Sequence, residues 1–434
     1  MKVAYVCADF GVPLDGSKGA SVHVLEMVRA LAGLGNEVVI LTPAAVPGLP
    51  QEPAAKAGEP AAGDLLAPGV RCFTIRPDPD HAVLLEAVRR AEAVAGRETR
   101  LRQELRNLLY NVALLDTGCR VLGRHQIEFV YERYTLFAMA GRELARRLGV
   151  PHLLEVNAPL VGEQERTRGL ELRALARDTE RGILAGSDAV LVVSEPLVAF
   201  ARSCGVPDSR VHLIPNAVDP ERFDPARRRP LPDALRARLS GRRVIGFVGS
   251  LKPWHGLEIL LQAFQSLHAR ITETHLLVVG DGPGRPALED QARRLGLGEA
   301  VTLVGAVPHD QVPDHIAAMD VAVAPGDDDP GFYFSPIKIF EYMAMGKPVV
   351  AGAVPQLACL RADAEAAVLV EPGRADRLAE ALERLVRDPG ACGRIGAAAR
   401  AWVMRERTWA GNARRVVEIA AALRGEAARA AEVQ

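Results

Sequence analysis

Short apolar runs alternate with amphipathic stretches along most of the chain. Residues 3–8 form an apolar run of strand length. HVLEMVRALAG, within 21–33, places apolar residues at helical spacing and closes on glycine. EVVILT at 37–42 reads as the next strand. A strand–helix–strand opening with a right-handed crossover predicts a parallel sheet. Residues 43–70 are rich in Pro, Ala and Gly without a period, which predicts an exposed loop or insertion. Residues 82–122 read as helix with glutamates and arginines interspersed. Strands follow at 129–131, 152–156 and 189–194.

The pattern then breaks. VHLIPNAVDPERFDPARRRPLP (211–232) carries five prolines and no helical period, and reads as a domain linker. Alternation resumes with strands at 243–248, 275–279, 301–304 and 321–324, and a helix at 257–269. A helix opening at 335, a strand at 349–350 and a last long helix at 410–423 complete it. The expected class is α/β, with two parallel-sheet domains leaving a cleft between them. Ligands of such sheets bind at the carboxyl ends of the strands.

Bulk composition narrows the function classes. The 434 residues are 49% hydrophobic and 25% charged with a net charge of −1, so nothing points to a nucleic-acid partner. Six scattered cysteines without a CxxC pair argue for a reducing compartment, and against a disulfide framework or zinc site. The N-terminal apolar run is too short for a signal peptide, and no run of ~18 apolar residues exists. A cytoplasmic protein without a membrane span is expected.

Four strand-end loops carry candidate chemistry. In DFGVPLDGSKGASVH (9–23), Gly16 and Gly19 permit close backbone approach, and Ser17 or Ser21 would cap the next helix. His23 is a general-base candidate there, against the blander reading of a structural histidine. The loop is neither GxGxxG nor a P-loop. Thr42 stands where a nicotinamide site wants an acid, which disfavours a dehydrogenase. In GSLKPWHG (249–256), Gly249 allows close approach, Lys252 and His255 are placed to neutralise a diphosphate, and Trp254 walls the pocket. GDGPG (280–284) supplies Gly280, Asp281 and Gly282 for a tight turn against a ligand.

The fourth is SPIKIFEYMAMGKPVV (335–350). Ser335 is a good N-cap and Pro336 suits the first helical position; Ile337, Phe340 and Met343 give an apolar stripe. Free N–H groups at such a helix start suit a phosphate. Lys338 sits in that first turn and Glu341 shares its face. By itself this is equally a capped surface helix with an i,i+3 ion pair. Three such loops at one sheet edge favour a bound nucleoside diphosphate.

These segments resemble retaining glycosyltransferase family 4, over roughly residues 2–425. IPNAVDPERF (214–223) is similar to the family's linker. GFVGSLKPWHGLEILLQAF (246–264), VVGDGPGRPALE (278–289) and SPIKIFEYMAMGKPVVA (335–351) are similar to its donor-site signatures. The resemblance implies the GT-B fold, two Rossmann-like parallel-sheet domains facing across a cleft. It implies an acceptor-binding domain at 1–212, a linker at 213–232, a nucleotide-sugar domain at 233–406 and a helix at 407–434 crossing back to the first domain. It also implies that Ser335, Pro336, Ile337 and Lys338 receive the donor diphosphate and Glu341 the ribose hydroxyls. Four positions depart from the family pattern. Its first site glutamate falls on Tyr333, with Asp327, Asp328 and Asp329 as possible substitutes. Its phosphate-binding Arg and Lys fall on Ser250 and His255, and an acceptor-side histidine falls on Asn157.

The implied activity is sugar transfer from a nucleotide-diphosphate sugar to a glycan, glycolipid or natural-product acceptor, with retention and with no metal or cofactor. Lys252, Lys338 and His23 are the expected catalytic residues; Asp9, Glu132, Arg133 and Asn157 are expected on the acceptor side. The arginines of 82–106 offer at most a weak peripheral membrane contact. The rival readings are a nucleotide-sugar epimerase and a binding scaffold without turnover.

Overall fold

The structure is a computed structural model describing residues 1–434 except 15–17, 44–66, 327–332, 334, 363–364 and 433–434. Gly16, the acidic run 327–329 and most of the expected insertion lie outside the described residues. The chain divides into two compact units, 1–215 with 409–434, and 216–408.

In the first unit the strands are β1 (Lys2–Cys7), β2 (Glu37–Thr42), β3 (Val70–Thr74), β4 (Phe129–Arg133), β5 (His152–Val156), β6 (Ala189–Val192) and β7 (Val211–Leu213). They form one sheet in the order 3-2-1-4-5-6-7. β3 begins at the last residue of the expected loop, at a position where no strand was expected, and β7 arises within the expected linker. The chain segment 216–223 belongs to the second unit, with Phe223 in its core. In the second unit β8 (Arg243–Val248), β9 (Thr274–Val279), β10 (Val301–Gly305), β11 (Val321–Ala324), β12 (Val349–Gly352) and β13 (Val368–Val370) lie in the order 10-9-8-11-12-13.

All recorded strand pairs are parallel. Parallel sheets carry helices on both faces, which is why the strand residues are apolar nearly throughout. β8 shows this directly: Val244 and Val248 enter one core, Ile245 and Phe247 the other. Both strand orders reverse beside their first strand, between β1 and β4 and between β8 and β11. Loops leaving neighbouring strands at such a reversal part and open a crevice at the carboxyl edge. The last helix, Trp409–Glu432, packs in the first unit on helix Gly19–Gly33, where Trp409 meets His23 edge-on at 4.9 Å. No helix among the described residues is long and apolar enough to cross a membrane.

Candidate donor and acceptor sites

The second-unit site begins where β8 ends. Gly249 turns the chain at φ +142°, a conformation that favours glycine. A Cβ there would lie 2.5 Å from Lys338 Nζ, so the missing side chain is the space the ammonium occupies. Lys338 rises from the first turn of helix Ile337–Ala344, and Nζ stands 4.2 Å above the Phe247 ring. Burial there pushes Lys338 down to about 7, opposed by Glu341. A lysine at a helix start also opposes the helix dipole. The arrangement is unfavourable while empty and suits an incoming anion.

His255 and Lys252 complete the positive side. Ser250 Oγ lies 3.3 Å from His255 Nε2, and Lys252 Nζ stands 4.8 Å over the Trp254 ring. Burial, then Lys338 and Lys252, push His255 down to about 3. The imidazole of the free protein is therefore neutral near pH 7, where Lys338, at about 7, is half-protonated.

The glycine turn after β9 packs against the Gly249 loop. A Cβ at Gly280 would strike the Gly249 carbonyl, and one at Gly282 would lie 2.8 Å from Leu251 N. Leu251 N–H donates to Asp281 O at 3.0 Å, and Gly284 N–H to Leu251 O at 2.9 Å. These glycines let two loops dock backbone to backbone, and so fix the Gly249 turn. Asp281 accepts from Gly282 N–H at 2.7 Å.

Ser335 is not the N-cap. Pro336 holds that position without a side-chain cap, and Ser335 Oγ accepts the Asn216 N–H at 3.0 Å. The first-turn N–H groups thus keep no serine partner. Glu341, nearly fully buried, accepts from His309 Nε2 at 2.8 Å; no ion pair with Lys338 forms. Arg222 Nη1 donates to His309 Nδ1 at 2.9 Å. Neither His309 nor Arg222 stood out in the sequence, although PHD after β10 is itself a strand-end loop. Tyr333, in place of the usual acid, is buried.

In the first unit, three expected residues, His23, Arg133 and Asn157, meet around Glu155 together with Tyr131. His23 Nε2 lies 2.6 Å from one carboxylate oxygen and Tyr131 donates to the same oxygen; Arg133 donates to the other at 2.7 Å, and the Asn157 amide donates to that oxygen too. Asp9 adds its field to Arg133. Burial pushes Glu155 up, but His23, Arg133 and Tyr131 more than reverse this and hold it at about 2. The parallel register that aligns Arg133 with Glu155 and Cys7 with Arg133 sets this cluster at the carboxyl edge. His23 is buried, bonded to Glu155 and edge-on to Trp409.

Glu132 does not join them. Successive strand residues face opposite sides of a sheet. Glu132 therefore turns to the other face, where it accepts from His152 Nε2 at 2.8 Å and fills the space left by Gly141. Lys18, not Ser21, is the N-cap of the helix that Gly19 opens, and Ser17 lies outside the described residues. On helix Pro79–Ala95, Arg89 and Arg90 pair with Glu86.

With this geometry in hand, comparison with known proteins is decisive. The family model described as Glycosyltransferase Family 4 matches residues 17–222, and that described as Glycosyl transferases group 1 matches residues 242–388. The GDP-mannose-dependent alpha-(1-6)-phosphatidylinositol monomannoside mannosyltransferase of Mycolicibacterium smegmatis is 30% identical over 312 residues, 69% of this chain and 78% of that one. The chain belongs to glycosyltransferase family 4. A second family relative, the 2-deoxystreptamine glucosyltransferase of Streptomyces kanamyceticus, is 27% identical over 85% of this chain and 89% of its own. The sucrose-phosphate synthase of Thermosynechococcus elongatus superposes with a TM-score of 0.69 at 20% identity, covering 98% and 99% of the two chains. This family 4 protein has the GT-B fold and is a glycosyltransferase using a nucleotide sugar.

Proposed function

We propose that this transferase moves a sugar with retention of configuration from a nucleoside-diphosphate sugar to a hydroxyl of a polyhydroxylated acceptor, without a metal. The observation that carries this is Lys338, whose ammonium sits between Phe247 and the Gly249 turn at a helix start. In the reaction the anomeric C–O bond to the diphosphate breaks while a C–O bond to the acceptor forms on the same face. The acceptor proton passes to the departing phosphate oxygen. Charge develops on the leaving diphosphate, where Lys338, Lys252 and the backbone N–H groups of Ile337 and Lys338 stabilise it. Glu341 binds the ribose hydroxyls through the oxygen that His309 leaves free. The first unit receives the acceptor at the carboxyl edge of its sheet.

The test is a panel of nucleotide sugars with wild type, Lys338→Met and Glu341→Ala. One donor should be consumed by wild type in the presence of a chelator, giving product of the donor's own anomeric configuration by NMR. Lys338→Met should lower turnover by roughly 100-fold or more. Inverted product, or turnover that needs an added divalent ion, would overturn the mechanism.

A further inference from the structure

Helix Leu101–Leu122 lies along the carboxyl edge of the first sheet. Tyr110 OH donates to Ile75 O at 3.0 Å, just past β3. Asn111 bonds Phe137 O and the N–H groups of Met139 and Ala140, past β4. Glu104 accepts from the N–H groups of Glu171 and Leu172, past β5. The helix is thus fixed over the strand ends by three separate anchors.

One face of it is left unsatisfied. Gln103, Arg106, Asn107 and Tyr110 recur at helical spacing on a single stripe. Tyr110 meets Phe10 edge-on at 5.0 Å, and the Arg106 guanidinium carbon lies 4.1 Å above the same Phe10 ring. Arg106 Nε, Gln103 Oε1 and Asn107 Oδ1 are buried with no hydrogen-bond partner among the described residues. Arg106 also makes no ion pair among them; Asp9 reaches it only through its field. Burial lowers the Arg106 pKa. Each bare buried polar atom costs free energy, so three adjacent ones are expected where a ligand supplies the partners.

We propose that Arg106, with Gln103 and Asn107, is an acceptor subsite for an oxyanion, so that the acceptor is a polyol bearing a phosphate or carboxylate. Arg106 takes the anion through its guanidinium fork, held flat by Phe10. The two amides take neighbouring hydroxyls, which both donate and accept. The inference rests on the reading of the first unit as the acceptor unit. The same headgroup chemistry arises in a free sugar or cyclitol phosphate and in an inositol lipid.

The probes are myo-inositol 1-phosphate, glucuronate and neutral myo-inositol, titrated calorimetrically into Lys338→Met protein, so that the donor site does not compete. At least one anion should bind about tenfold or more tightly than myo-inositol, and Arg106→Met in that background should erase the difference while Arg106→Lys keeps part of it. A second arm compares sedimentation with phosphatidylcholine vesicles with and without phosphatidylinositol. Retention that needs the inositol lipid and Arg106 assigns the lipid source; soluble binding alone assigns the free one. Equal binding of neutral myo-inositol, a preference surviving Arg106→Met, or no anion binding in either arm overturns the proposal. Nucleotide affinity is measured separately on Arg106→Met with Lys338 intact and should match wild type. Failure of wild type to bind any nucleotide would instead condemn the donor reading.

Discussion

His309 Nε2 lies 2.8 Å from Glu341 Oε1, with Arg222 donating to His309 Nδ1 from behind. The arginine fixes the tautomer, since a nitrogen that accepts cannot carry the proton. The other nitrogen must then donate to Glu341, which orients the carboxylate. His309→Ala should raise the donor KM by about 10- to 100-fold with a smaller change in kcat, the scale of one hydrogen bond to a charged group. His309→Gln should recover part of the loss. An unchanged donor KM in the alanine variant would refute the positioning role.

Donor binding should take up a proton. Burial holds Lys338 at about 7 in the free protein, and a bound diphosphate draws its pKa upward. Affinity for the nucleotide sugar should therefore be flat below about pH 7 and fall as pH rises above it, by up to tenfold per unit. Calorimetry at pH 8 in buffers of different ionisation enthalpy should show uptake approaching one proton, and none with Lys338→Met.

The same lysine weakens the empty fold. Its folded pKa is below its unfolded value, so between about 7 and 10.5 the unfolded chain binds more protons and stability rises with pH. The penalty is complete below pH 7. Lys338→Met should raise the melting temperature of the ligand-free protein at pH 6.5 by a few degrees, and the gain should shrink toward pH 10. A lower melting temperature at pH 6.5 would contradict this.

Gly249→Ala meets two obstacles at once: a φ of +142° and Lys338 Nζ in the path of the new methyl group. Displacing the ammonium should reduce transfer by about 100-fold, as losing a leaving-group contact does. Crystallography or lysine-methyl NMR should show Lys338 moved. Wild-type kinetics in this variant would remove Lys338 from the mechanism.

Glu155 is the structural centre of the first unit's strand ends. Glu155→Gln keeps the shape but strips the charge facing His23 and Arg133, and should cost roughly 3–5 kcal/mol in urea unfolding at pH 7. The wild-type carboxyl is held below its ordinary value, so its contribution is complete above about pH 4.5 and is lost as pH falls toward 2. The gap between the two proteins should close over that window.

The strand runs, the two βα series and the Gly249, Lys338 and Glu341 positions were legible from the chain alone. Apolar periodicity and turn residues are local signals, and a parallel sheet buries its strands on both faces, so the runs stand out. β3, β7 and β13 did not: VRCFT is broken by an arginine after a Pro/Gly-rich stretch, and VHL and VLV are only three residues each. What tertiary structure alone decided is who meets whom. His23, on the helix after β1, finds Glu155 132 positions away at the end of β5, and Arg222, in the segment 216–223, finds His309 87 positions away in the loop after β10. Glu132 and Arg133 part company because adjacent strand residues face opposite sides. Burial then set the protonation: the sequence offers His255 and Lys338 as two cations, and only their packing against Phe247 and each other makes the first neutral and leaves the second ready to take a proton with its ligand.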